Sequence, residues 1–218
     1  MIVNWILEAL FPRKCVLCRK LLSKEELDLC RGCRTDAPGY HPHGKTIRFV
    51  SDHTAVWFYE DNVRASLLRY KFHRASHYAS AYGRMVAMAV EKDLPEEIDW
   101  ITYVPVSPKR KRQRGYDQVE LLAEAVSAEL GIPMVPMLKK VRDNPPQSGI
   151  QKEEQRRANV LGAYETVNDD RIRDSRILLL DDIITSGATV SECARMLQGS
   201  RARMVYCAAV AAVRNQKQ

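Results

Sequence analysis

The run Ile177-Leu178-Leu179-Leu180-Asp181-Asp182 constrains the fold of this chain more than any other feature. Four consecutive apolar residues lack the alternation of a half-exposed strand. They read as a strand covered on both faces, as in a parallel sheet flanked by helices. Two acids follow at the C-terminal end of that strand, where open α/β sheets hold their ligands. Next comes Thr185-Ser186-Gly187-Ala188-Thr189, small residues that let the backbone close on a ligand before a helix begins. Backbone N–H groups at such a turn, with the helix dipole, favour an anion. The hydroxyls of Thr185, Ser186 and Thr189 add donors. Asp181 and Asp182 can accept hydrogen bonds from vicinal sugar hydroxyls. An anion cradle at one end and a pair of diol acceptors at the other describe a site for a ribose 5-phosphate. A plain helix N-cap accounts for one hydroxyl, but not for two adjacent acids at a strand end. Neither G-x-x-x-x-G-K-[ST] nor G-x-G-x-x-G occurs, which argues against a Walker A loop and a dinucleotide site.

The rest of the chain alternates strands and helices. Ala55–Tyr59, Trp100–Val106 and Met204–Val213 read as strands. Ala75–Lys92 reads as a helix with Ala79, Tyr82, Val86 and Ala89 on one face, ended by Leu94 and Pro95. Asp117–Leu130 reads as a helix with Val119, Leu122, Ala123, Val126 and Leu130 inward and Gly131 as its stop. Thr189–Leu197 is a further helix, closed by Gly199. The stretch Asp143–Ser148 holds Pro145 and Pro146 and reads as a loop. This alternation predicts an α/β fold with a mainly parallel sheet flanked by helices. We expect two parts: residues 1–54, a short N-terminal helix (Trp5, Ile6 and Leu10 docking it) and a cysteine module, and residues 55–218, the α/β domain.

Cys15 and Cys18 form one C-x2-C pair and Cys30 and Cys33 another, with eleven residues between the pairs. Each knuckle aims two thiolates at one point, and two knuckles complete a tetrahedral S4 site for zinc. Disulfides fit a reducing compartment poorly, and four free thiols fit the paired spacing poorly. With all four positions cysteine, such a site is structural rather than catalytic. Lys14, Arg19, Arg31 and Arg34 would offset its charge. Cys193 and Cys207 fall on a helix and a strand, and read as buried thiols. His41, His43, His53, His73 and His77 show no ligand spacing with the cysteines and read as surface or linker residues.

Net charge is +7, which suits an anionic partner such as a nucleic acid, a nucleotide or a phosphosugar, although a solvated basic surface gives the same balance. No apolar run approaches the length of about eighteen residues that a membrane helix needs, so no membrane insertion is expected. The apolar residues 1–11 carry Glu8 and no early Lys or Arg, unlike a signal peptide; the expected compartment is the cytoplasm. Five of the six residues from Lys109 to Arg114 are basic, between Pro108 and Gly115, and read as a mobile loop. Any phosphate suits such a segment, whether of a small ligand or a nucleic-acid backbone.

Ile177–Thr189 resembles the phosphoribosyl-pyrophosphate (PRPP) motif of type I phosphoribosyltransferases. Together with the cysteine pairs, VPVSPKRKRQRGYDQ at Val104–Gln118 and QRRANVLGAY at Gln155–Tyr164, it resembles the ComF (ComFC) family of bacterial competence proteins over essentially the whole chain. The resemblance implies a PRPP-binding fold with a flexible loop over the site. Asp181 and Asp182 would take the ribose hydroxyls, and Thr185, Ser186, Gly187, Ala188 and Thr189 would wrap the 5-phosphate. Mg²⁺ accompanies PRPP. Ser107 and Lys109 would lie near the pyrophosphate, with Arg112 or Arg114 closing over it. The resemblance also places Lys71 of a Lys-aromatic pair within reach of the pyrophosphate, although His73-Arg74-Ala75 stands where a Gly is expected. The family is tied to uptake of transforming DNA, with a helicase-like competence protein as partner. It leaves two functions open: phosphoribosyl transfer to an unnamed acceptor, or a non-catalytic module whose hold on single-stranded DNA is regulated by PRPP or a nucleotide.

Overall fold

The computed structural model describes residues 12–41, 46–73, 75–94, 97–143 and 153–214. The expected helix in residues 1–11 and the double-proline loop lie outside them. In chain order the elements are α1 (Arg31–Asp36), β1 (Asp52–Phe58), α2 (Asp61–Phe72), α3 (Tyr78–Asp93), β2 (Trp100–Tyr103), α4 (Pro108–Arg114) and α5 (Gln118–Leu130). There follow β3 (Leu138–Lys140), α6 (Glu153–Val160), β4 (Tyr164–Thr166), α7 (Asp169–Ile172), β5 (Arg176–Ile184), α8 (Ala188–Gly199) and β6 (Met204–Ala212).

Four strands form one parallel sheet in the order β1-β6-β5-β2. β3 and β4 form a separate antiparallel pair. The apolar run of β5 is buried on both faces, as its composition demands. Leu178 and Leu180 pack with Leu67 and Tyr70 of α2, Tyr82 and Val86 of α3, and Leu122 and Val126 of α5. Ile177 and Leu179 pack on the other face with Val190, Cys193 and Leu197 of α8 and Tyr164 of β4. Cys193 and Cys207 are buried thiols, as expected.

The predicted inner face of α5 is buried at Val119, Leu122, Ala123 and Val126. Its ends follow from sequence as well. The Asp117 carboxylate accepts from the N–H groups of Val119 at 2.9 Å and Glu120 at 3.2 Å, and Gly131 closes the helix at φ 68. Gly83 lets α3 approach α5 closely: a Cβ there would stand 2.4 Å from the Ala125 Cβ.

Two strand ends differ from expectation, and both shape the site. β2 stops at Tyr103 instead of Val106. The Val104 N–H makes the last ladder bond, to the Leu180 carbonyl at 2.9 Å, and Pro105 then has no N–H to give. β5 instead continues through Asp181 and Asp182 to Ile184, paired with β6 as far as Ala212.

The cysteine module is packed onto the sheet domain. Cys15, Val16 and Leu17 belong to the same apolar cluster as α2 and α3. Ser66 of α2 donates to the Val16 carbonyl, and Arg69 donates to the carbonyls of Val16 at 3.1 Å and Leu17 at 2.5 Å. Arg84 of α3 grips Asp28 through two bonds of 2.9 and 2.6 Å. No helix among the described residues is long and apolar enough to cross a membrane.

Candidate functional site

The acids Asp181 and Asp182 lie on the part of β5 that β2 no longer covers, and both are buried. Side chains alternate along a strand, so the pair splits between the two faces of the sheet. Asp182 turns toward α2 and α5. Its Oδ1 lies 2.9 Å from Lys71 Nζ, and its Oδ2 accepts from Gln118 Nε2 at 2.9 Å. Asp181 turns to the other face. Burial pushes its carboxyl up to about 8; the Asp182 charge adds to this, and the charges of Lys71 and Lys140 oppose it. It also accepts the Asp182 N–H at 2.8 Å.

Beyond Ile184 the chain turns sharply through Thr185, Ser186 and Gly187 into α8. Gly187 sits at φ 81 and ψ 0 as the N-cap of that helix. A side chain there would be strained by the backbone, and its Cβ would come within 3.3 Å of Ile47 Cγ1. The Ser186 hydroxyl accepts from the Ala188 N–H at 3.4 Å. The turn therefore aims the start of a twelve-residue helix at the C-terminal edge of the sheet, next to the acids.

The basic segment is not a mobile loop. Lys109–Arg114 forms α4. Ser107 is its N-cap, accepting the Arg110 N–H at 3.3 Å, with Pro108 in the first turn and Gly115 ending it at φ 83. Pro and Gly were read as loop boundaries; at these two positions they begin and end a helix. The helix sorts its cations. Ser107, Arg110 and Arg114 are its less exposed positions, whereas Lys109 and Arg112 are exposed. Lys111 pairs with Glu120 at 2.6 Å, away from the acids. Arg114 lies over the Phe72 ring, 5.0 Å from its centre. Burial lowers the Arg114 guanidinium from its ordinary value, and the nearby Asp182 charge opposes this. Ser107 is itself buried. Its hydrogen bond to Asp143, with the charges of Arg110 and Lys109, holds that carboxyl below the usual range.

Lys71 lies in the last turn of α2, which fixes its reach to Asp182. Sequence reasoning missed Gln118, Arg110 and Lys140. Gln118 is the first residue of α5 and is buried against Asp182. Arg110 was hidden in a run of like charges, although its spacing from Ser107 and Arg114 is that of one helical face. Lys140 ends β3, lies 3.2 Å from the Tyr164 hydroxyl and feels the charge of Asp181. Burial and the neighbouring Arg110 charge lower it. His53, expected at the surface, is buried, its Nε2 lying 3.1 Å from the Tyr40 hydroxyl.

The four Sγ atoms of Cys15, Cys18, Cys30 and Cys33 all lie within 4.8 Å of one another, with Cys18 and Cys30 at 3.5 Å. Tetrahedral thiolates at about 2.3 Å from zinc stand about 3.8 Å apart, so the cluster fits such an ion. Burial raises the Cys15 thiol, but the N–H groups of Cys18, Cys30 and Leu17 outweigh it and bring the group down to about 7. Backbone donors turned on the Cys15 sulfur in this way suit a thiolate ligand, whereas burial raises the Cys18 and Cys33 thiols.

A family model described as the phosphoribosyl transferase domain matches residues 120–218. Competence protein F of Haemophilus influenzae is 26% identical over 214 residues, covering 86% of this chain and 92% of that protein. Competence protein ComFC of Bacillus subtilis is 25% identical, covering 89% and 83%. DNA utilization protein YhgH of Escherichia coli is 26% identical, covering 90% and 96%. Among solved structures, glutamine PRPP amidotransferase from B. subtilis aligns with 64% of this chain and 30% of its own, at TM-score 0.42 and 20% identity. Adenine phosphoribosyltransferase from Thermoanaerobacter pseudethanolicus aligns with 62% and 70%, at TM-score 0.38 and 16% identity.

Proposed function

We propose, for a chain that belongs to the ComF family of type I phosphoribosyltransferase-like proteins, that the edge of β5 binds PRPP with Mg²⁺ in the handling of incoming DNA. One observation carries the reading. β5 outruns β2, so two buried acids stand beside a glycine-dependent turn and the start of α8. Ribose hydroxyls would go to Asp181 and Asp182, and the 5-phosphate to the N–H groups and hydroxyls from Thr185 to Thr189. The pyrophosphate end would meet Lys71 and Arg114, with Arg110 and Lys140 on the other face. If transfer occurs, pyrophosphate leaves C1 of the ribose, and these cations stabilise the charge that develops on it. The four-cysteine cluster would hold zinc as a structural ion.

Calorimetry with Mg²⁺ and PRPP tests this. Asp181→Ala with Asp182→Ala should lose roughly 2–4.5 kcal/mol of binding, about 1.5–3 kcal/mol for the bond to the Asp182 carboxylate and about 0.5–1.5 kcal/mol for that to the protonated Asp181 carboxyl. Equal affinity in the wild type and the folded double variant would overturn the assignment. Pyrophosphate release in the presence of nucleobases, or its absence, then separates an enzyme from a binding module. The exposed cations Lys109 and Arg112 on α4 favour the second reading, in which the same protein also holds single-stranded DNA. A helicase-like competence protein would act beside it.

A further inference from the structure

We infer that Lys71 is a specificity-determining residue that separates PRPP from ribose 5-phosphate by exchanging one anionic partner for another; this rests on the PRPP reading above. Both oxygens of Asp182 are already engaged in the protein by itself. Lys71 Nζ stands 2.9 Å from Oδ1, and Gln118 Nε2 donates to Oδ2 at 2.9 Å. The ion pair is largely withdrawn from water, the side chains being 19% and 7% exposed. A ribose hydroxyl that approaches Asp182 at Oδ1 therefore competes with an internal cation for the same oxygen. In a partly desolvated pair, separating the charges without a new partner for the lysine is unfavourable.

The two phosphosugars differ at this step. PRPP carries a pyrophosphate at C1, so an ammonium that leaves Asp182 gains a new anion. Ribose 5-phosphate has a hydroxyl at C1 and offers it none. Lys71 lies in the last turn of α2 at the same edge of the site, with Phe72 beside it under the Arg114 guanidinium. A small rotation of a four-carbon side chain is enough for the exchange. The Asp182 carboxylate then receives the ribose hydroxyl while keeping the Gln118 amide. The buried Gln118 Oε1 has no protein partner among the described residues, and it is free to accept the next hydroxyl.

The expected result has opposite signs for the two ligands. Lys71→Met should weaken PRPP about tenfold or more in calorimetry with Mg²⁺, and should tighten ribose 5-phosphate, because the internal competitor is gone. Lys71→Arg should keep a preference for PRPP. A wild type that binds PRPP, together with a Lys71→Met protein that weakens both ligands equally or neither, overturns the exchange and leaves the PRPP reading standing. A wild type that binds neither phosphosugar overturns both. If Lys71→Met does not fold, the wild-type Lys71 ammonium resonance gives the same answer. It should shift with PRPP and stay with ribose 5-phosphate; equal shifts with both ligands overturn the exchange.

Discussion

At the scale of single residues, Asp181 is the most consequential group in the site. Its folded value of about 8 lies well above the value of about 3.9 expected of an unfolded Asp. Between those two values the folded protein binds the extra proton. Stability linked to Asp181 is therefore complete below about pH 4 and is lost as pH rises through about 8. Asp181→Asn keeps the shape and removes the titration. The variant should gain melting temperature relative to the wild type as pH is raised from 5 to 8, at about 2–4 °C for each kcal/mol. Parallel melting curves for the two proteins across that range would show that the buried carboxyl is not what burial makes it. Gly187 belongs to the same scale. Its φ of 81 and the contact that Ile47 would make with a Cβ could not be seen in sequence, but its presence in a turn of small residues could.

At the scale of elements, α4 divides its cations between two tasks, and variants can follow the division. Arg114→Ala should weaken PRPP by about 1.5–3 kcal/mol, as expected for a lost bond to a charged group. Arg112→Ala should leave PRPP unchanged. If the exposed side of α4 holds single-stranded DNA, Lys109→Ala with Arg112→Ala should reduce the salt slope of that binding by on the order of 0.7 per lost phosphate contact. Equal effects of Arg112 and Arg114 on PRPP would mean that the helix does not sort its charges. This element was the least legible part of the site. Seven residues are too few for periodicity to declare itself against a run of like charge. By contrast, α5 announced both of its ends through Asp117 and Gly131, and β5 announced its burial through four apolar residues. The acids, the turn and the cysteine spacing were local patterns, and were readable. The Lys71–Asp182–Gln118 contact joins three distant segments, and no local pattern carries it.

At the scale of the whole molecule, the question is whether the cysteine module is an appendage or a support for the site. Cys15, Val16 and Leu17 share their apolar cluster with Leu67 and Tyr70 of α2 and Tyr82 of α3. The carbonyls of Val16 and Leu17 are held by Ser66 and Arg69, five and two residues before Lys71 on the same helix. A displaced module would take these carbonyl acceptors from Ser66 and Arg69 and open the shared apolar cluster to water. A metal bound by the four thiols would therefore fix α2 as well as its own loops. Stripping it with a chelator under reducing conditions should lower the melting temperature of the whole protein in one transition. A loss of about 3 kcal/mol corresponds to about 6–12 °C. The same treatment should weaken PRPP more than ribose 5-phosphate, because α2 carries the lysine that meets the pyrophosphate and not the turn that meets the 5-phosphate. Two separate transitions, with the upper one and PRPP affinity untouched by chelator, would instead make the module an independent domain. The apolar cluster that runs through both parts argues for the single transition.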